Sequence, residues 1–405
     1  MTTFTPTSAE ETLAAVEWAV SEEAPVEIVG HGSKRGIGRP AQIVHVIDLS
    51  KLTGVTLYEP EELVLSARAG TPLAEIEALL AEHGQEFAFE PMDYAPLLGG
   101  ADGMTAKSGT IGGVLAANLS GPRRLKAGAA RDHILGTHAV SGRGEMFKSG
   151  GRVVKNVTGY DLSKGMAGSW GTLAVVTDVT FKVLPAAQTE ATLVLRGLSE
   201  EQAAHAMAIA MGSSGEVAGA AHLPESVTGR VLDGALKARG STLLRLEGFG
   251  PSVAYRFDHL SALLAGHGVI ERLEEAQSRA LWREIRDCMP FADGTMRPVW
   301  RISMTPGKGH EMVMALRMQA AVDAFYDWQG GLIWLRMEGE PEADIVRALI
   351  AQFGGGHATL VRATPVVRAS VPVFQPQTPA LAGLSARLKE QFDPKGILNP
   401  GRMGI

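Results

Sequence analysis

The 405-residue sequence predicts an α+β fold built from two or three compact units. Three observations predict it. Short β-type runs mix with capped helices as far as Pro185, and glycine crowds the stretch from residue 99 to 172. From Thr192 onward, the order strand, helix, strand, strand, helix, strand occurs twice. A composition of 45% hydrophobic and 20% charged residues belongs to a chain that folds around a core, not to a disordered or fibrous one.

Ser8 and Glu11 form a capping-box pattern ahead of Ala14, Ala15, Val16, Trp18 and Ala19, so a helix should start near Ala9 and stop before Pro25. Val26–Val29, Ile43–Asp48, Val55–Tyr58 and Leu63–Ala69 are short strands broken by Gly and Pro turns. Thr71 as N-cap, Pro72 at the first helical position, Leu73, Ile76, Leu79 and Leu80 on one face, and Gly84 past the end mark a second helix. Alternation from Val175 to Val183 marks a half-buried strand that Pro185 stops.

The first repeat reads as a strand at Leu193–Arg196, a helix capped by Ser199 and Gln202, strands near Glu216–His222 and Leu243–Glu247, a helix at Ser252–Ala265 and a strand at Val269–Leu273. The second reads as Val299–Met304, Lys308–Gln319, Ala324–Trp328, Leu332–Met337, Ala343–Phe353 and Thr359–Arg362, with Ala276–Asp287 as a linking helix. Each unit is a βαββαβ, ferredoxin-like split βαβ, and two side by side would form one antiparallel sheet covered by helices. The expected division is 1–187, 188–365 and 366–405.

A net charge of -6 argues against nucleic acid as the main partner, since Arg123, Arg124 and Lys126 make only a local basic spot. Cys288 is the sole cysteine, so the chain can neither close an internal disulfide nor ligate an iron–sulfur cluster alone. No apolar run reaches the ~18 residues of a membrane span, and Met1 to Glu11 lacks a leader pattern. The expected location is the cytoplasm, at most peripheral to the cell membrane through partners.

Three glycine segments carry the chemistry. Ile28 to Gly36 follows a strand directly and lets successive N–H groups converge as an anion-binding nest, although an ordinary tight turn has the same composition. It is neither a P-loop nor a GxGxxG opening a helix. In Gly109 to Gly121, Gly112 and Gly113 precede a short helical turn whose free N–H groups would face a pyrophosphate. Gly159 to Leu173 again places glycine where bulk would block a ligand.

The GxGS-type loop, the GxIGGxxAxN segment, Arg131–Leu135, the GYDL stretch at Gly159–Leu162 and the GSxGTL turn at Gly168–Leu173 together resemble the PCMH-type FAD-binding domain. Phe392 to Gly401 resembles the C-terminal signature of the same superfamily, and the whole chain is most similar to the E-subunit branch of glycolate oxidases. The resemblance makes 1–187 an FAD-binding domain, 188–365 a duplicated ferredoxin-like cap, and 366–405 a tail packing back on the FAD domain. It implies that Gly30, His31, Gly32, Ser33 and Lys34 hold the pyrophosphate, with Thr110, Gly112, Gly113 and Asn118 on its other side. Gly168, Gly171 and Thr172 would line the nucleotide half, and Asn399 would approach the isoalloxazine. The implied partners are a larger FAD subunit, an iron–sulfur subunit and a small 2-hydroxy acid.

The sequence also departs from the family. Members that attach flavin covalently have a histidine just before the loop serine, where this chain has Gly32, so non-covalent FAD is expected. The metal-binding histidine motifs of the larger 2-hydroxy-acid dehydrogenases are missing, and His357 in Gly354–Ala358 reads as a strand-edge residue. Arg297, Arg301 and Arg336 lie on cap strands, where one could clamp a carboxylate or simply face solvent. No catalytic residue is assigned. Two readings stay open: a redox-active subunit oxidising glycolate or a similar acid and relaying electrons to an iron–sulfur chain, or a non-catalytic assembly subunit on the same fold.

Overall fold

The computed structural model describes residues 2–99, 108–153, 159–236 and 239–404. The first helix runs Ala9–Ser21, with Ser8 Oγ accepting from the Glu11 N–H at 3.1 Å. The reciprocal half of the expected box shifts by one residue: Glu11 accepts from Thr7 N at 2.7 Å and Thr7 Oγ1 at 2.9 Å instead of from Ser8. Ala15, Val16 and Ala19 pack on Val26, Ile47, Val140 and Val175. Strands Thr2–Phe4, His45–Asp48 and Val26–Val29 form a small parallel sheet in that order.

A five-stranded antiparallel sheet follows in the order Val55–Glu59, Val64–Arg68, Ala174–Lys182, Ile134–Ser141, Met146–Gly150. The second helix is Leu73–Glu82, and Thr71 does not cap it. Thr71 Oγ1 instead accepts from Gly54 N at 3.0 Å and donates to Arg68 O at 2.7 Å, because the turn before the helix folds back on the preceding strand.

The repeated units join into one eight-stranded sheet ordered Val269–Leu273, Thr189–Arg196, Ser241–Gly248, Gly219–Leu223, Val322–Asp327, Leu332–Met337, Val299–Met304, Gly356–Arg362. All neighbours are antiparallel, and the two halves meet at the pair His222 and Tyr326. Ser199 and Gln202 make both hydrogen bonds of the capping box for helix Glu200–Met211. On one sheet face Leu193, Leu195, Leu244 and Leu246 pack under that helix and Gly250–Leu264. The opposite face takes the linking helix Glu275–Arg286, whose Trp282 Nε1 donates to Thr192 Oγ1 at 2.8 Å. Coverage of both faces explains why these antiparallel strands read as nearly continuous apolar runs.

The C-terminal tail returns to the first domain. Leu398 bridges Val26 in parallel, with Val26 N donating to Ile397 O at 2.9 Å and Asn399 N to Val26 O at 3.0 Å. The first half is also clamped to the sheet by buried charge. Arg245 meets Glu90 at 2.6 Å, Glu247 at 2.7 Å and Glu190 at 2.8 Å, while Arg123 pairs with Glu86 and, at 3.1 Å, with Glu90. Burial alone would raise the Glu90 carboxyl, yet Arg245 and Arg123 hold it down at about 2.

Candidate functional site

Two adjoining cavities open where the glycine segments meet the sheet. The first encloses about 800 Å³ and begins where strand Val26–Val29 ends in the 30–34 loop. Gly32 sits at φ +75°, a left-handed conformation that glycine adopts without strain, and this turns the loop into a nest. The N–H groups of His31, Gly32, Ser33 and Lys34 donate to no acceptor among the described residues. Gly30 lets the loop touch the next glycine segment, since a Cβ there would stand 2.6 Å from Thr110 Oγ1.

Lys34 is the dominant charge in this cavity. The Lys34 side chain is half-buried, touches Ser33 Oγ at 3.2 Å and forms no salt bridge among the described residues; desolvation pushes its pKa down to about 8 despite the field of Asp93. A Cβ on Gly109 or Gly113 would lie 3.2 Å from Nζ, so these glycines leave the space in front of the ammonium open. Arg402 donates to Lys34 O at 2.8 Å, and burial lowers its pKa to about 10.

Helix Ile111–Ala116 differs from the expectation. Its first N–H groups are not free: Ile111 N donates to Thr71 O at 3.0 Å, Gly112 N to Ala69 O at 2.8 Å, and Gly113 N to the N-cap Thr110 Oγ1 at 3.3 Å. The helix start is satisfied by the neighbouring strand, so the unpaired donors lie on the 31–34 loop. Gly112 is a packing residue, with Ala69 Cβ only 2.7 Å from where its own Cβ would be.

The structure gathers Gly30, His31, Gly32, Ser33, Lys34, Thr110, Gly112, Gly113, Gly171 and Asn399 around this cavity, closed by Ile28, Met166, Trp170 and Val176. The Asn399 amide is held at both ends, accepting from Ile28 N and donating to Trp170 O, both at 2.9 Å. Gly168 and Asn118 face the second cavity, and Asn118 Oδ1 accepts from Arg131 N at 2.9 Å. Thr172 lines neither; its hydroxyl donates to Ser169 O at 2.7 Å, and its carbonyl accepts from Lys389 at 2.6 Å.

The second cavity, about 1010 Å³, shares Ala117 and Trp170 with the first. Tyr94, Asn118, Ser120 and Arg124 line one side, and Arg301, Ser303, Trp328, His357 and Thr359 the other. Arg301 pairs across the sheet with Thr359 and Ser303 with His357, which places all four on one sheet face. Of the three arginines considered from sequence, Arg301 alone reaches this space. Arg336 is bound by Asp293 and Asp323 at 2.8 Å and Glu338 at 3.0 Å, and Arg297 by Glu338 at 2.8 Å. Arg124, Tyr94 and Trp328 were missed, and His357 lies on the edge strand as expected and also on a cavity wall. No local pattern could have marked them, because chain topology alone brings them together.

Comparison with known proteins agrees with this geometry. A family model described as an FAD binding domain matches residues 2–150. The glycolate oxidase subunit GlcE of Escherichia coli (strain K12) is 35% identical over 395 residues, 96% of either chain. The D-lactate dehydrogenase of Archaeoglobus fulgidus is 30% identical over 181 residues, 44% of this chain and 38% of that one. Among solved structures, p-cresol methylhydroxylase superposes with a TM-score of 0.71 at 14% identity, covering 100% of this chain and 88% of that one, which shows the fold. Fold, cofactor-domain match and near full-length identity converge: the chain belongs to the glycolate oxidase GlcE family of PCMH-type FAD-linked oxidases.

Proposed function

We propose that this chain is an FAD-dependent 2-hydroxy-acid oxidoreductase subunit that binds its flavin non-covalently and works in a glycolate oxidase complex with a larger flavin subunit and an iron–sulfur subunit. The carrying observation is Lys34, a desolvated ammonium with no carboxylate partner among the described residues, beside four N–H groups open among those residues, which is the complement of a pyrophosphate. The apolar remainder between Ile28, Met166, Trp170 and Val176 suits a flat ring system. When bound, FAD supplies a two-electron acceptor. The protein orients it: the Lys34 loop fixes one end, and the wall shared through Ala117 and Trp170 puts the cavity's other side next to the second cavity.

Non-covalent attachment has two supports. Gly32 stands where a linking histidine would be, and the ring of His31 is held by Ser108 O at 2.9 Å from Nδ1. Acid precipitation of the purified yellow protein should leave all colour in the supernatant; colour retained in the pellet would refute this.

Partner dependence follows from Cys288, the sole cysteine and buried, which gives the chain no cluster of its own, while no helix among the described residues is long and apolar enough to cross a membrane. The purified chain alone should show dye reduction with glycolate or D-lactate far below that of the co-purified complex. Rapid turnover by the chain alone, near the ~10 per second of an ordinary enzyme, would overturn the complex and leave the flavin assignment intact.

A further inference from the structure

We propose that the second cavity is the binding site for a small 2-hydroxy or 2-oxo carboxylate, with Arg124 and Arg301 holding the carboxylate and His357 accepting the proton of the hydroxyl group. This inference rests on the reading of the first cavity as the flavin site.

The charge of the described cavity walls favours an anion. Among the described residues they carry four titratable side chains, Tyr94, Arg124, Arg301 and His357, and neither Asp nor Glu. Both guanidiniums stand over the Trp328 indole, Arg124 at 5.1 Å and Arg301 at 5.0 Å from its centroid. Among the described residues, neither makes a salt bridge to any carboxylate, and Arg124 has only Ser120 Oγ at 3.2 Å. Stacking on an indole fixes a guanidinium's plane and leaves its N–H edge free, the geometry that reads a carboxylate in bidentate fashion. Burial, and then the field of Arg301, lower the pKa of Arg124, with Asp132 opposing them only in part and forming no ion pair with it among the described residues.

The two arginines come from different walls, Arg124 from the glycine half and Arg301 from the eight-stranded sheet, so a bound carboxylate would bridge both domains beside the shared Trp170. Oxidation of such a substrate breaks C–H at C2, with the electron pair going to the flavin, and O–H, with the proton going to a base, and forms C=O. His357 is the wall residue suited to receive that proton. Its side chain stays solvent-accessible on the sheet's edge strand, and partial desolvation, then Arg301 and Arg124, lower its pKa, which favours the neutral imidazole with its lone pair. Ser303, opposite His357 in the sheet, and Tyr94 add hydroxyl groups for the remaining oxygens.

The test is oxalate binding to the flavin-loaded full chain, followed by calorimetry and by the flavin difference spectrum, with neutral glycolamide as control and flavin content measured on each sample. Oxalate should bind saturably and glycolamide should not. Arg124→Met and Arg301→Met should each weaken oxalate about tenfold or more while retaining flavin, with Arg124→Lys intermediate. His357→Gln should leave oxalate affinity within about twofold, yet remove the rise with pH of single-turnover flavin bleaching by glycolate in the co-purified complex. Absence of saturable oxalate binding, or unchanged affinity in both methionine variants with flavin retained, would overturn the pocket and spare the flavin site. Absence of flavin from the wild-type chain, even after reconstitution, would overturn both.

Discussion

Lys34→Met is expected to lower FAD affinity by roughly 30- to 100-fold, the loss of about 2–3 kcal/mol of charge-assisted contact in a desolvated site. The same substitution should raise the melting temperature of the flavin-free protein, because it removes a desolvated ammonium that no carboxylate among the described residues pairs with. A merely structural lysine would lower both. The sign of the pH dependence follows from its lowered pKa. With a folded-state value near 8 against 10.5 unfolded, the unfolded chain binds more protons between those values, so the flavin-free protein gains stability as pH rises through that window. FAD affinity should move the other way, declining as Lys34 loses its charge above about 8, and Lys34→Met should abolish that decline. Gly113→Leu should also empty the site, since its Cβ starts 3.2 Å from Lys34 Nζ and the branch extends into the cavity, and the fold should survive because the contacted atoms are side-chain ends. Gly112→Leu is the contrasting control: a Cβ 2.7 Å from Ala69 Cβ and 2.8 Å from Ala69 O should cost folding itself. Titration of the flavin-free variants with FAD by fluorescence quenching measures the first effect and calorimetric melting the second.

Arg245→Met is expected to cost about 3–5 kcal/mol, because it leaves Glu190 and Glu247 with only the more distant Arg279 at 3.9 Å and Arg123 at 3.5 Å and weakens the cationic field on Glu90. At roughly 2–4 °C per kcal/mol for a domain of this size, the melting temperature should fall by about 6–20 °C. The ion pairs join the glycine half to the cap sheet, so flavin should also be lost at lower temperature than in the wild type. The acid limb supplies a second readout. Glu90 titrates near 2 when folded against 4.5 unfolded, so its contribution is present above 4.5 and is lost as pH falls toward 2. Arg245→Met should flatten that loss. Glu90→Gln should do the same while leaving Glu190 and Glu247 paired, and a variant that melts like the wild type at pH 7 and at pH 3 would show that the cluster contributes nothing to stability.

Local order was legible in the sequence wherever it depends on spacing along one segment. The Ser199–Gln202 box, the linking helix over Glu275–Arg286, the strands Val26–Val29, Val269–Leu273, Val299–Met304 and Leu332–Met337, and the twice-repeated element order all rest on patterns spanning a few residues. The loop at residues 30–34 was open from sequence to two readings, an anion nest or an ordinary tight turn, because the same glycine run serves both.

What spacing cannot encode is which partner arrives from elsewhere in the chain. Thr71 has the chemistry of a cap, but the adjacent strand offers Gly54 N and Arg68 O first. Ile111, Gly112 and Gly113 begin a helix, but Thr71 O, Ala69 O and Thr110 Oγ1 consume the N–H groups that a bare helix start would expose. Arg297, Arg301 and Arg336 are alike in sequence; only the folded sheet gives two of them carboxylates and leaves the third beside Trp328 and an arginine from the other half of the molecule. Hydrophobic period and backbone capping are short-range quantities that the sequence itself determined, whereas the neutralisation of a charge depends on every group within a few ångströms, and that neighbourhood was decided by the tertiary fold alone.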